Sequence, residues 1–141
     1  MKADPSTQTH LADEHKTLEA LCDDLVNRAE SGDWRECDAV WDDFTRRLEA
    51  HMELEEKELF PRYGKLGPDQ AETIAALGAE HIELRSIVLR LGLAVQEQLL
   101  RLEDVQALVE KLRHHAAHEN QVFYRWAKTV VLSKHGITET P

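Results

Sequence analysis

A chain of 141 residues with 27 Asp and Glu against 17 Lys and Arg has the length of one domain and enough residues for a full core. Its formal charge of -10 argues against nucleic acid and against anionic membrane surfaces as partners. No apolar run approaches the roughly 20 residues of a membrane span, and no hydrophobic stretch follows Met1-Lys2-Ala3-Asp4-Pro5, so neither a span nor a signal peptide is expected.

Leu, Glu and Ala are the commonest residues, and apolar residues recur in steps of three and four, which predicts an all-α fold. The first helix is expected over about residues 9–30, with Leu11, His15, Leu18, Cys22, Leu25 and Ala29 on its apolar face. Ser31-Gly32-Asp33 breaks the pattern, and Asp33 with Glu36 three residues on marks the start of a second helix. Cys37, Trp41, Phe44, Leu48, His51, Glu55 and Leu59 form its stripe. Residues 61–68, with Pro61, Gly64, Gly67 and Pro68, are expected to be the second connection. The third helix carries Ile74, Leu77, His81, Leu84, Val88, Leu91 and Val95. The fourth carries Val105, Leu108, Leu112, His115, Glu119, Val122 and Trp126. A polar tail over 133–141 is expected to fray, leaving a core of about residues 9–132 in a single domain. Cys22 and Cys37 lie in no CxxC or CxxCH motif and fall on apolar faces. They are read as reduced core thiols, and the chain as cytoplasmic.

The third connection holds no Gly or Pro, so composition does not place it. Geometry does: between antiparallel neighbours, two residues at one height have the turn midway between them. The midpoint of His15 and His51 is residue 33, at the Gly32-Asp33 break, and that of His51 and His81 is residue 66, inside the Gly64–Pro68 break. The midpoint of His81 and His115 is residue 98, which predicts a turn near residues 96–101. The fold expected is an antiparallel up-down-up-down four-helix bundle with four histidines in one layer.

The histidines also repeat. His15 in Asp13-Glu14-His15 recurs 66 residues on as His81 in Ala79-Glu80-His81, and His51-x-x-x-Glu55 recurs 64 residues on as His115-x-x-x-Glu119. Positions four apart share a helix face, so His51 and Glu55 reach one metal ion, as do His115 and Glu119, and His15 and His81 add one imidazole each. Imidazole suits iron, copper, nickel and zinc, and carboxylates bridge two ions. Burying so many ionisable groups costs several kcal/mol each without compensation, which a metal cluster supplies. If both carboxylates bridge, each ion has four protein bonds, a bridging solvent makes five, and an octahedral ion keeps one position open for dioxygen, peroxide or nitric oxide.

His15, the string His51-x-x-x-Glu55-Glu56-x-x-Leu59-Phe60-Pro61, Glu80-His81 and His115-x-x-x-Glu119 together resemble the hemerythrin-like family of HHE cation-binding domains. The resemblance covers all four helices. It implies a bundle around a non-haem, carboxylate-bridged pair of iron ions held by His15, His51, Glu55, His81, His115 and Glu119. In the oxygen-carrying members a further histidine stands one turn after the one in the third helix, where this chain has Arg85. Those members also place an aspartate five residues after the fourth-helix histidine. The departures turn the expectation from simple carriage toward sensing, iron handling or redox chemistry.

The resemblance thus implies a protein that binds or senses dioxygen or nitric oxide, with a peroxidase-like di-iron oxidoreductase or an iron-handling protein as alternatives. Zinc or manganese would also suit the donor types, and an electron-transfer or signalling protein is the partner a sensing role would need. Glu56 and Glu80 are read as groups that support the ligands or lie on the surface, with a substitute ligand near Arg85 as the alternative for Glu56. Arg85 either binds an anionic ligand or neutralises a glutamate. His114 and His118 are expected to face solvent, His10 and His135 to be bystanders, and Trp34, Trp41, Trp126, Tyr63 and Tyr124 to pack. The Glu-x-x-His pattern of ferritin-like bundles is absent, and a bis-histidine haem would leave Glu55 and Glu119 without a role.

Overall fold

A computed structural model describes the backbone of residues 5–134 and the side chains of residues 13–123 and Trp126. Among the described residues there is no strand. Four long helices, α1 (Pro5–Glu30), α2 (Trp34–Leu54), α4 (Pro68–Gln96) and α5 (Leu102–Lys134), carry nearly all the chain, with a short α3 (Phe60–Gly64). Helix α1 packs on α2 and α5, and α4 packs on the same two, so the four enclose a common core as a bundle. No described helix is long and apolar enough to cross a membrane.

The turns have local causes. Gly32 takes φ +73 at the end of α1, where its amide donates to Ala29 and that of Asp33 to Arg28, a pattern that closes the last helical carbonyls and favours glycine. Asp33 then caps α2 by accepting from the amide of Glu36. Past α4, the amides of Gln98 and Leu99 donate to Val95 and Ala94 in the same pattern, with Gln98 at φ 59 in the glycine position. The turn therefore lies where the histidine midpoint places it, although no glycine announces it.

Two expected boundaries change. Residues 61–64 are not a connection. The helical path runs on from α2 through one wide turn, Glu55–Leu59, in which Phe60 donates to Glu55 five residues back, and then through α3. Proline lacks an N–H and its ring crowds the carbonyl four residues before it, so the wider turn lets Pro61 follow without ending the helix. The connection is confined to residues 65–67. Helix α5 likewise reaches Lys134, so Ser133 belongs to a helix and not to a tail; residues 135–141, with His135, lie outside the described residues, as do the side chains of His10, Leu11 and Tyr124. Helix α1 begins at Pro5, four residues before the expected start.

The core has two parts. The larger gathers Leu18, Cys22 and Leu25 with Trp41, Phe44 and Leu48, Leu84 and Leu91, and Val105, Leu108 and Leu112. The smaller gathers Leu59, Phe60, Leu77, Phe123 and Trp126, with Tyr63 packed edge-on to Phe123 and Trp126. Each fully buried leucine or phenylalanine contributes about 1.5–3 kcal/mol. Cys22 and Cys37 are free thiols, and burial pushes that of Cys22 up to about 12, far from reactivity at neutral pH. The histidine layer lies between the two clusters.

Candidate metal centre

The six residues singled out by their spacing meet in this layer. Along α2 the stripe from Cys37 to Leu59 turns inward as a whole, so the register that buries Phe44 and Leu48 also buries His51 and Glu55. Helix α5 does the same for His115 and Glu119, and α4 for His81. His15 on α1 is 13% exposed, the most accessible of the four imidazoles.

The donors divide into two overlapping groups: His15, His51, Glu55 and Glu119, and His81, His115, Glu55 and Glu119, each with ligand atoms within 4.8 Å of one another. The Nε2 atoms of His15 and His51 approach to 3.1 Å, as do those of His81 and His115. Each carboxylate turns one oxygen to each group. Glu55 places Oε2 3.1 Å from His51 and Oε1 2.9 Å from His81. Glu119 places Oε1 3.3 Å from His15 and Oε2 2.9 Å from His115. Either group thus offers two imidazole nitrogens and two carboxylate oxygens. Oε2 of Glu55 and both oxygens of Glu119 are buried without a well-formed hydrogen bond, the condition of donors that a cation would satisfy.

Outside the layer, carboxylates fix the rings from behind. Nδ1 of His51 donates to Glu14 (3.1 Å), that of His81 to Glu56 (2.7 Å), and that of His115 to Glu80 (2.6 Å). With Nδ1–H held this way, Nε2 is the nitrogen left to face the cluster. Burial works against the charged imidazole, but the neighbouring carboxylates of Glu119 and Glu55 outweigh it, so His51 is pushed up to about 11, His81 to about 9 and His115 to about 10. Burial likewise opposes ionisation of Glu119, and its contacts with Glu55, His115, His15 and His51 hold it well below the usual carboxylate range.

This arrangement corrects the expectations for Glu56 and His118 and decides between the two alternatives for Arg85. Glu56 is no substitute ligand, because it stands behind His81 on the side away from the shared carboxylates. Arg85 neutralises glutamates: its guanidinium donates to both oxygens of Glu49 (3.1 and 2.6 Å) and both of Glu56 (2.8 and 3.1 Å). Burial opposes the Glu56 charge, and Arg85 with His81 still keeps that carboxyl below its ordinary range. His118 does not simply face solvent; its Nδ1 donates to Glu80 at 2.7 Å, beside His115, whereas His114 is exposed. Glu14 and Glu49 were not anticipated. The recurrence of Glu-His at 14–15 and 80–81 is the sequence signal for Glu14, since the structure uses both glutamates alike.

The family model described as Hemerythrin HHE cation binding domain matches residues 6–127. No curated protein and no solved structure matches the chain.

Proposed function

From the premise that this chain belongs to the hemerythrin family of HHE cation-binding domains, we propose that it holds two non-haem iron ions and binds or senses a small ligand such as dioxygen or nitric oxide. The observation that carries this reading is the pair of overlapping donor groups sharing Glu55 and Glu119. One carboxylate oxygen turned to each group is what bridging two ions requires. His15 and His51 would hold one ion, and His81 and His115 the other. Iron fits imidazole and carboxylate donors, and when bound it supplies a redox-active Lewis acid with room for a ligand beyond the four protein atoms.

The chain's own contribution is to orient and to exclude. Glu14, Glu56 and Glu80 hold three imidazoles in one tautomer, and Phe60 stacks on His81 with ring centroids 5.1 Å apart. The two apolar clusters keep water from the layer on either side. The short connections and the one-layer placement of the four histidines support an up-down-up-down antiparallel arrangement. In a sensing role a separate signalling or electron-transfer protein would take the output.

Ferrous loading under nitrogen, exposure to air and then degassing, followed optically, tests the proposal. A charge-transfer band that appears with oxygen and vanishes on degassing is the outcome expected of a reversible binder. Prompt irreversible oxidation would exclude dioxygen as the bound ligand and leave nitric oxide to be tested next. Failure to take up iron at all would remove the reading.

A further inference from the structure

The internal repeat is broken at one place that matters for metal. Glu14 and Glu80 are equivalent under the 66-residue offset, and they hold His51 and His115 respectively. Glu56 holds His81, but 64 residues on from Glu56 stands Asn120. Among the described residues nothing hydrogen-bonds Nδ1 of His15, which is buried. The ion pair above each half is also reversed. Arg85 of α4 reaches Glu49 of α2 and braces Glu56. The equivalent pair is Arg113 of α5 on Glu19 of α1 at 2.8 Å, with no carboxylate at position 120 to brace.

Resting on the two-metal reading above, we infer that the two metal positions are unequal, with the His81/His115 position preorganised and filled first and the His15/His51 position the weaker and more readily emptied. A carboxylate on Nδ1 fixes ring orientation and raises the basicity of Nε2, and its loss costs about 10–100-fold in metal affinity. The first position has both imidazoles held at 2.6 and 2.7 Å. The second has one held at 3.1 Å and one unheld on a more exposed ring. The shared carboxylates and the mutual repulsion of two cations act on both positions alike, so they do not create the difference. Glu56 is therefore a positioning residue, and the order of loading follows from the carboxylate that position 120 does not supply.

Cobalt(II) titration under nitrogen, read by the visible absorption of the ion and by total metal, tests this. His15→Ala leaves only the His81/His115 position intact, and His81→Ala only the other. The single ion is expected to bind about 10–100-fold more tightly to His15→Ala. Asn120→Glu, a substitution at an exposed position, is expected to tighten the second equivalent in the otherwise intact chain, and Glu56→Gln to loosen the first. Equal affinities in the two half-site variants overturn the inference, as does an Asn120→Glu protein of unchanged circular dichroism whose second equivalent binds no tighter. Uptake by the intact chain that stops at one ion or none overturns the two-metal reading itself, and is distinguished by stoichiometry from two ions bound with equal affinity.

Discussion

Filling this centre with metal must drive protons out. In the metal-free layer His51, His81 and His115 sit at about 11, 9 and 10, because the Glu119 and Glu55 carboxylates beside them outweigh the cost of burying an imidazolium. His81 and His115 share one Nε2 proton across their 3.1 Å contact, so His51 and one ring of that pair carry both protons at pH 7.5. Nδ1–H of each is held by an outer glutamate, so the proton that leaves is the one on Nε2, the nitrogen that faces the cluster. Loading two divalent ions at pH 7.5 should release about two protons per chain, and the logarithm of the overall binding constant should climb by about two per pH unit until the His81/His115 pair begins to titrate. Calorimetric titration with zinc in buffers of different ionisation enthalpy measures this, the slope of apparent against buffer enthalpy giving the protons released. A release of one proton or fewer would refute the reasoning, since the rings would then be neutral before metal arrives.

The same shifts bear on the stability of the metal-free protein. A histidine raised in the folded state stabilises it fully below the ordinary value of 6.5, and that contribution is lost as pH climbs toward the raised value. Thermal melts of apoprotein should therefore fall steadily between pH 7 and 10, while the metal-loaded protein changes less; a flat profile for the apoprotein would contradict this. His51→Ala should lower bound metal to about one ion per chain by elemental analysis and His115→Ala to one weakly held ion, whereas His114→Ala, at an exposed position, should bind as the parent does. Arg85→Met removes four hydrogen bonds at a side chain one-third exposed. After allowance for solvent screening the cost should be about 1 kcal/mol, or about 4 °C in Tm, with a larger effect at low salt. Gln98→Gly relieves a left-handed residue at φ 59 and should stabilise by about 1 kcal/mol in urea unfolding; a loss of stability would mean the Gln98 side chain contributes more than its backbone strain costs.

The amino-acid sequence by itself determined which faces of the helices are buried and which six residues meet. Burial follows the 3.6-residue period, and a histidine on the same stripe as Phe44 and Leu48, or Leu108 and Leu112, goes inward with them. The midpoint relation likewise located the turn after α4, because equal heights in one layer are a constraint on chain length and need no special residue type. What escaped the sequence depended on contacts between helices. The wide turn at Glu55–Leu59 hides the usual meaning of Pro61, since one extra residue in the turn removes the clash that would end a helix. Gln98 conceals a turn that glycine would have advertised. Glu56 and Glu80 were legible as supporting groups, but which imidazole each holds was not: Glu14, Glu56 and Glu80 lie on α1, the wide turn after α2, and α4, and each acts on an imidazole of another helix, a pairing that no spacing within one helix predicts. The direction of Arg85, toward Glu49 and Glu56 and behind His81, was also decided only when α2 and α4 came together, because a long side chain's partner is set by the facing helix and not by its own.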